Sequence, residues 1–172
     1  TWANISRFQT YLFNSGDNFK SYEMLGSHKV KIDGVDGWRF AVWAPNAKGV
    51  SVIGDFNMWD PRRSQMRLLN NSGIWEIFIP QVKSGDKYKF RIKDVYGGVT
   101  DKSDPYGVAM ELRPGTASVV YNIHNYKWND EEWIKYRSEH ERYDRPVNIY
   151  EVHMGSWRRV GNEDRFMTYR EA

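Results

Sequence analysis

Residues Lys87-Tyr88-Lys89-Phe90-Arg91-Ile92-Lys93 alternate strictly between charged and apolar side chains. In an extended chain successive side chains point to opposite faces, so Tyr88, Phe90 and Ile92 share one face and the cations share the other. One face belongs to a core and the other to water. Such a strand needs neighbours and a second layer, and the flanking sequence supplies both. From Gly26 onward, short β-type runs follow one another: His28 to Asp33, Trp38 to Ala44, Val50 to Phe56, Ile74 to Ile79, Lys87 to Asp94 and Ala117 to Ile123. Their separators carry turn chemistry, as in Asp33-Gly34-Val35-Asp36-Gly37, Pro45-Asn46-Ala47-Lys48-Gly49 and Asn70-Asn71-Ser72-Gly73. Strands at this spacing predict an all-β, antiparallel sandwich.

Within that frame Trp38, Phe40 and Val42 share a face, as do Trp75, Ile77 and Ile79, while Trp43 falls opposite the first set. Trp38, Phe40, Trp75, Phe78, Tyr88 and Phe90 are assigned to the sandwich. Aromatic residues make up 16% of the chain, so the question is which rings are not needed for a core.

The 172 residues carry 25 Lys and Arg against 22 Asp and Glu, a net charge of +3. That excess is too small to indicate nucleic-acid binding, and the cations of the Lys87 strand read as a solvated face that discourages edge pairing. With no cysteine, disulfides and thiolate metal sites are excluded. The four histidines lack metal-ligand spacing and Gly97-Gly98 lacks a phosphate-loop context, so no metal, nucleotide or other cofactor is implied. Residues 1–20 hold no apolar run of signal or membrane-span length, and the mean hydropathy is −0.75. The expectation is a cytoplasmic protein without a membrane partner.

Outside the sandwich the pattern changes. Residues 1–25 scatter aromatics among polar residues and read as an irregular lead-in with at most a helical turn; the β-sandwich spans 26–124. Over 125–146 a linker is expected, with a short helix at Trp128 to Tyr136, where carboxylates precede cations as a helix dipole favours. Val147 to His153 reads as a new strand, and Thr168-Tyr169-Arg170-Glu171 has the form of a capping box. Strand followed by helix start, over 147–172, is the opening of a β/α unit, which cannot bury its apolar face alone; further chain is expected to follow.

The turn Gly54-Asp55-Phe56-Asn57-Met58-Trp59-Asp60-Pro61 sets Trp59 off the strand lattice. A ring so placed either folds back over the core or offers its face to a ligand such as a pyranose. Lys89 on the wet face of its strand and Tyr96 on the following Gly-rich turn could add a donor and a second ring.

Taken together, Gly37-Trp38-Arg39-Phe40-Ala41-Val42-Trp43-Ala44-Pro45-Asn46-Ala47, Gly54 to Trp59, Tyr88-Lys89-Phe90, Asp104-Pro105-Tyr106 and Tyr150-Glu151-Val152-His153-Met154-Gly155-Ser156-Trp157 resemble the amino-terminal region of bacterial 1,4-α-glucan (glycogen) branching enzymes. The resemblance runs from about Tyr11 onward. It implies an immunoglobulin-like carbohydrate-binding module of family 48, followed by the first strand of an α-amylase-type (β/α)8 barrel. It further implies α-glucan binding through Trp59 and Lys89, with Asn57 of the same turn and Tyr96 as additional candidates. The family's retaining transglycosylation uses a carboxylate nucleophile and an acid/base on later barrel strands, so no catalytic residue is assigned here and this stretch alone is expected to be inactive. Glu151 and His153 on the expected first barrel strand are read as structural. The implied partners are α-1,4-glucan (glycogen or maltooligosaccharide) and the catalytic barrel of the same chain. The competing readings are the same module from a debranching enzyme or a trehalose-releasing hydrolase, or a purely structural sandwich that packs on a catalytic domain.

Overall fold

A computed structural model of the chain describes residues 4–140, 146–161 and 164–172. Trp2 and residues 141–145 of the expected linker lie outside them. The chain divides into two compact units, Thr1–Tyr126 and Lys127–Ala172.

The first unit runs α1 (Arg7–Ser15), α2 (Ser21–Met24), β1 (Gly26–Ile32), β2 (Val35–Trp43), β3 (Ala47–Gly54), β4 (Arg67–Leu68), β5 (Ile74–Ile79), β6 (Lys87–Asp94), β7 (Val99–Lys102) and β8 (Ser118–Val119). One antiparallel sheet has the order β1-β2-β5-β4; the other has the order β3-β6-β7, with β8 also paired to β6. In the first sheet Trp38 faces Ile79, Phe40 faces Ile77 and Val42 faces Trp75 across the ladder. In the second, Val52 faces Phe90 and Val50 faces Ile92. These alternate positions form one buried core, with Tyr88 edge-on to Phe40 at 5.0 Å and to Phe90 at 5.9 Å. The expected sandwich is therefore the observed one.

Tyr88 is fully buried, so its hydroxyl needs a partner. It donates to Asp104 Oδ2 at 2.6 Å, Asp104 Oδ1 accepts the Tyr106 amide at 2.8 Å, and the Asp104 amide donates to Ser118 Oγ at 2.8 Å. The Asp104-Pro105-Tyr106 segment is thus tied directly to the core strand.

Three expectations about this unit change. Residues 1–25 hold two helices, not an irregular lead-in, and Ser6 and Gln9 close a reciprocal capping box at the start of α1. This segment covers the outer face of the first sheet, where Ile5, Met24 and Leu25 bury against Ala41, Leu69 and Ile74. Phe78 does not join the inter-sheet core; strand alternation puts it on the outer face opposite Arg39. Of the run Ala117 to Ile123 only Ser118–Val119 pairs as strand, because β6 offers its edge there only at Lys87 and Tyr88. Short β4 and β7 carry too few residues to show a period.

The lead-in is held by two buried charged residues. Glu76 accepts the amides of Asn4 and Ile5 and pairs with Arg67 at 3.7 Å. Arg39 donates to Asn4 Oδ1 and to the carbonyls of Glu23 and Met24.

The second unit holds α3 (Glu131–Glu139), α4 (Met154–Trp157) and a hairpin of β9 (Arg159–Val160) and β10 (Arg165–Phe166). Along α3, Trp133, Tyr136 and His140 stack successively, and Arg159 lies 3.5 Å over the Phe166 ring. The strand expected over 147–153 does not form: apolar Val147, Ile149 and Tyr150 are largely exposed, and a strand without a neighbour leaves its ladder unmade. At 168–171 the Glu171 carboxylate accepts the Thr168 amide at 2.9 Å, as a capping box requires, but the segment remains a turn.

Burial raises the Glu76 carboxyl above its ordinary value, against the pull of the two amides and of Arg39 and Arg67. Its contribution to stability is complete below the ordinary carboxylate value and is lost as pH climbs through the raised one. Glu76→Gln, neutral throughout, should therefore gain stability relative to wild type as pH rises across that window. Denaturant unfolding at a series of pH values checks this; two parallel curves would contradict it.

Candidate functional site

The site is built where β3 ends. Gly54 must be glycine because a Cβ there would collide with the Lys87 carbonyl of the neighbouring strand and with the Phe56 ring. A short 3-10 turn, Asp55–Asn57, follows, and then Met58 and Trp59 both adopt left-handed backbone with φ of 57° and 58°. Each costs about 1–2 kcal/mol for a non-glycine residue, so something must hold the turn.

Asn57 holds it. Its side chain is 5% exposed; Oδ1 accepts the Gly54 amide at 2.9 Å while Nδ2 donates to Val52 O at 2.8 Å and Ser64 Oγ at 3.0 Å. This corrects the sequence expectation that Asn57 contacts a ligand: it faces inward, and both amide protons are committed within the protein.

Trp59 is half-buried at the surface. Its amide donates to Gly54 O at 3.0 Å, and its indole Nε1 donates to Asp55 Oδ1 at 3.0 Å. Asp55 Oδ2 in turn accepts the Lys87 amide at 2.8 Å. One carboxylate therefore fixes the ring beside the start of β6.

Lys89 lies two residues further along β6, on its outer face, paired with Ile53 of β3. Its Nζ donates to Thr116 Oγ1 at 2.7 Å, leaving further protons for another acceptor. Lys87 Nζ meets Glu111 Oε1 at 3.1 Å, and Glu111 Oε2 accepts the Ala117 amide at 2.7 Å. The Ala117 amide and Lys87 hold the Glu111 carboxyl below the usual carboxylate range. A half-buried ring tied through Asp55 to the start of β6, and hydrogen-bonding side chains along that strand, are groups suited to a polyol with an apolar face and not to acid/base chemistry. The carboxyls that burial raises, Glu76 and Asp104, lie elsewhere in the fold.

Tyr96 sits apart. It is 94% exposed at the tip of the β6–β7 hairpin, where Asp94 Oδ1 caps the amides of Tyr96 and Gly98. From Tyr88, opposite Gly54, to Asp94 is about 20 Å of strand, so Trp59 and Tyr96 do not close on one sugar ring. Asp55, Lys87, Glu111 and Thr116 were not legible as site residues. Asp55 reads simply as a turn former, and Glu111 and Thr116 reach the strand only because β8 pairs with β6.

Removing the Asn57 amide leaves the buried Gly54 amide and Val52 carbonyl without that partner. Asn57→Ala should cost about 2 kcal/mol or more, read from the denaturant midpoint. A loss within 0.5 kcal/mol, the roughly neutral range of surface changes, would contradict the holding role.

Residues 24–107 match the family model described as carbohydrate-binding module 48 (isoamylase N-terminal domain). The chain is similar to the 1,4-alpha-glucan branching enzyme GlgB of Synechococcus sp. (strain JA-3-3Ab), 46% identical over 98% of this chain and 24% of that enzyme. It is 51% identical to the same-named enzyme of Halothermothrix orenii, over 95% of this chain and 26% of that one. The chain thus spans about a quarter of the length of the curated relatives it matches. Its fold is similar to part of a pullulanase from Paenibacillus barengoltzii complexed with maltotetraose, with a TM-score of 0.50 and 19% identity over 70% of this chain and 20% of that one.

Proposed function

We propose that the chain belongs to the 1,4-α-glucan branching enzyme family and that its stretch matching carbohydrate-binding module 48, residues 24–107, supplies α-glucan capture to a glycogen-branching enzyme. The observation that supports this reading is the half-buried Trp59 ring, fixed at the surface by Asp55, which also ties it to Lys87 at the start of β6, the strand that carries Lys89. A pyranose lays its apolar face on the indole while its hydroxyls meet the lysine and threonine. Tyr96 offers a separate platform for a different part of the same chain.

The proposed activity of the whole enzyme is cleavage of an α-1,4 bond and transfer of the segment to form an α-1,6 branch, by double displacement through a glycosyl-enzyme intermediate. That chemistry needs two carboxyl groups about 5–5.5 Å apart, one of them able to donate a proton. At this site both Asp55 oxygens and both Glu111 oxygens are engaged as acceptors, so the role proposed for this stretch is binding and not transfer. Residues 147–172 are read as the opening of an α-amylase-type barrel, supported by Tyr150 to Trp157 and by the exposed apolar Val147, Ile149 and Tyr150. A cytoplasmic location is supported by the lack of cysteine; among the described residues no helix is long and apolar enough to cross a membrane.

Maltoheptaose titrated into the chain should bind, and Trp59→Ala should weaken that binding by about tenfold or more, roughly 1.4 kcal/mol, in calorimetry. Tyr96→Ala should cost less. A wild-type chain that shows no heat with maltoheptaose would leave only a packing role for the sandwich.

A further inference from the structure

The first unit also holds a concavity apart from the Trp59 platform. It is a groove of about 510 Å³ beside β3, lined by the cations Lys48, Arg62, Arg91 and Lys93, by Ser51 and Gln65, and by an apolar wall of Pro61, Val99 and the core residues Val50, Met66 and Trp75, the last from the first sheet. Among the described residues no carboxylate lines it. Arg91 is paired with Asp101 at 2.7 Å and Arg62 with Asp60 at 2.8 Å, whereas exposed Lys48 and Lys93 have no acidic partner among the described residues. For a chain whose whole excess is three positive charges, two uncompensated lysines in one recess are a local concentration of potential.

We propose that this groove is a subsite for a phosphorylated hexose, with the phosphoryl group between Lys48 and Lys93 and the sugar ring against the apolar wall. Charge and shape both select this ligand. A neutral sugar would leave the lysines unanswered, and a bare anion would leave the wall bare. Pro61 and Arg62 belong to the loop that carries Trp59, so a phosphate substituent on a glucan held at the Trp59 platform is the polymer-borne form of this ligand. Free hexose phosphate and phosphate borne on a glucan share this chemistry and are separated below; the glucan case rests on the Trp59 reading, and the free case does not.

The test titrates the chain with glucose, inorganic phosphate, glucose 6-phosphate, maltoheptaose and maltoheptaose bearing a phosphate monoester. Glucose 6-phosphate should bind at least about tenfold more tightly than glucose or inorganic phosphate. It should lose that advantage in the Lys48→Gln/Lys93→Gln double variant and at about 0.5 M salt, where charges are screened within a few ångströms. Both lysines are exposed, so the variant should keep the wild-type melting temperature. Trp59→Ala should leave glucose 6-phosphate binding unchanged while weakening phosphorylated maltoheptaose. If only the phosphorylated glucan shows the lysine-dependent gain, the phosphate is polymer-borne and the subsite stands. If neither phosphorylated ligand gains over its neutral counterpart, or the double variant binds both as well as wild type, the proposal is overturned; maltoheptaose binding that still depends on Trp59 would leave the proposed function intact.

Discussion

The arrangement of the surface depends on one buried amide. After β3 the chain reverses through Asn57, Met58 and Trp59, the last two in left-handed backbone that ordinary side chains resist. Asn57 satisfies the Gly54 amide and the Val52 carbonyl and reaches Ser64 Oγ, so opening the turn would strand polar groups in the interior. The strain persists because releasing it costs more. With the turn closed, Asp55 bridges the Trp59 indole and the Lys87 amide, and the ring is fixed in place before any ligand arrives. Such preorganisation lowers the ordering cost of binding.

The two sheets are not equivalent. The outside of the first is roofed by α1 and α2, anchored through Glu76 to the Asn4 and Ile5 amides and through Arg39 to the Glu23 and Met24 carbonyls. The outside of the second carries Lys87, Lys89, Arg91 and Lys93, the last two of which line the proposed phosphate groove, and Trp59 follows the end of its β3. Within the first unit, burial of one face and cationic exposure of the other explain why the residues proposed to face a ligand come from β3, β6 and the loops beside them. The sharing of one loop by Trp59, Pro61 and Arg62 gives the platform and the groove a common support.

The sandwich was legible because its central strands obey the period of two: Tyr88, Phe90 and Ile92 point inward, as do Trp38, Phe40 and Val42. Phe78 was misplaced although the same rule, applied to Trp75, Ile77 and Ile79, puts it on the opposite face. The lead-in was misread because its helices are short and weakly periodic and are held by Arg39 and Glu76, tertiary partners that no local pattern reveals. Val147 to His153 has strand composition but no partner strand among the described residues, and propensity alone does not make a ladder. At the candidate site, Trp59 and Lys89 are proposed from residue type and position, Trp59 on a turn and Lys89 on the cationic face of β6. Asn57 was placed on the ligand because a turn asparagine looks the same from sequence whether its amide points outward or inward, and Thr116 became a neighbour of Lys89 only through the β8–β6 pairing.

The central claim is that glucan lies on the outer face of the second sheet, across the Trp59 ring. It is tested most directly by following the indole N–H resonances of the chain by nuclear magnetic resonance as maltoheptaose is added. The account predicts that the Trp59 resonance moves while those of Trp38 and Trp75, buried between the sheets, and of Trp43, beside Phe13 on the other sheet, stay in place. Movement confined to Trp43, or a Trp59 resonance indifferent to the sugar, would contradict it.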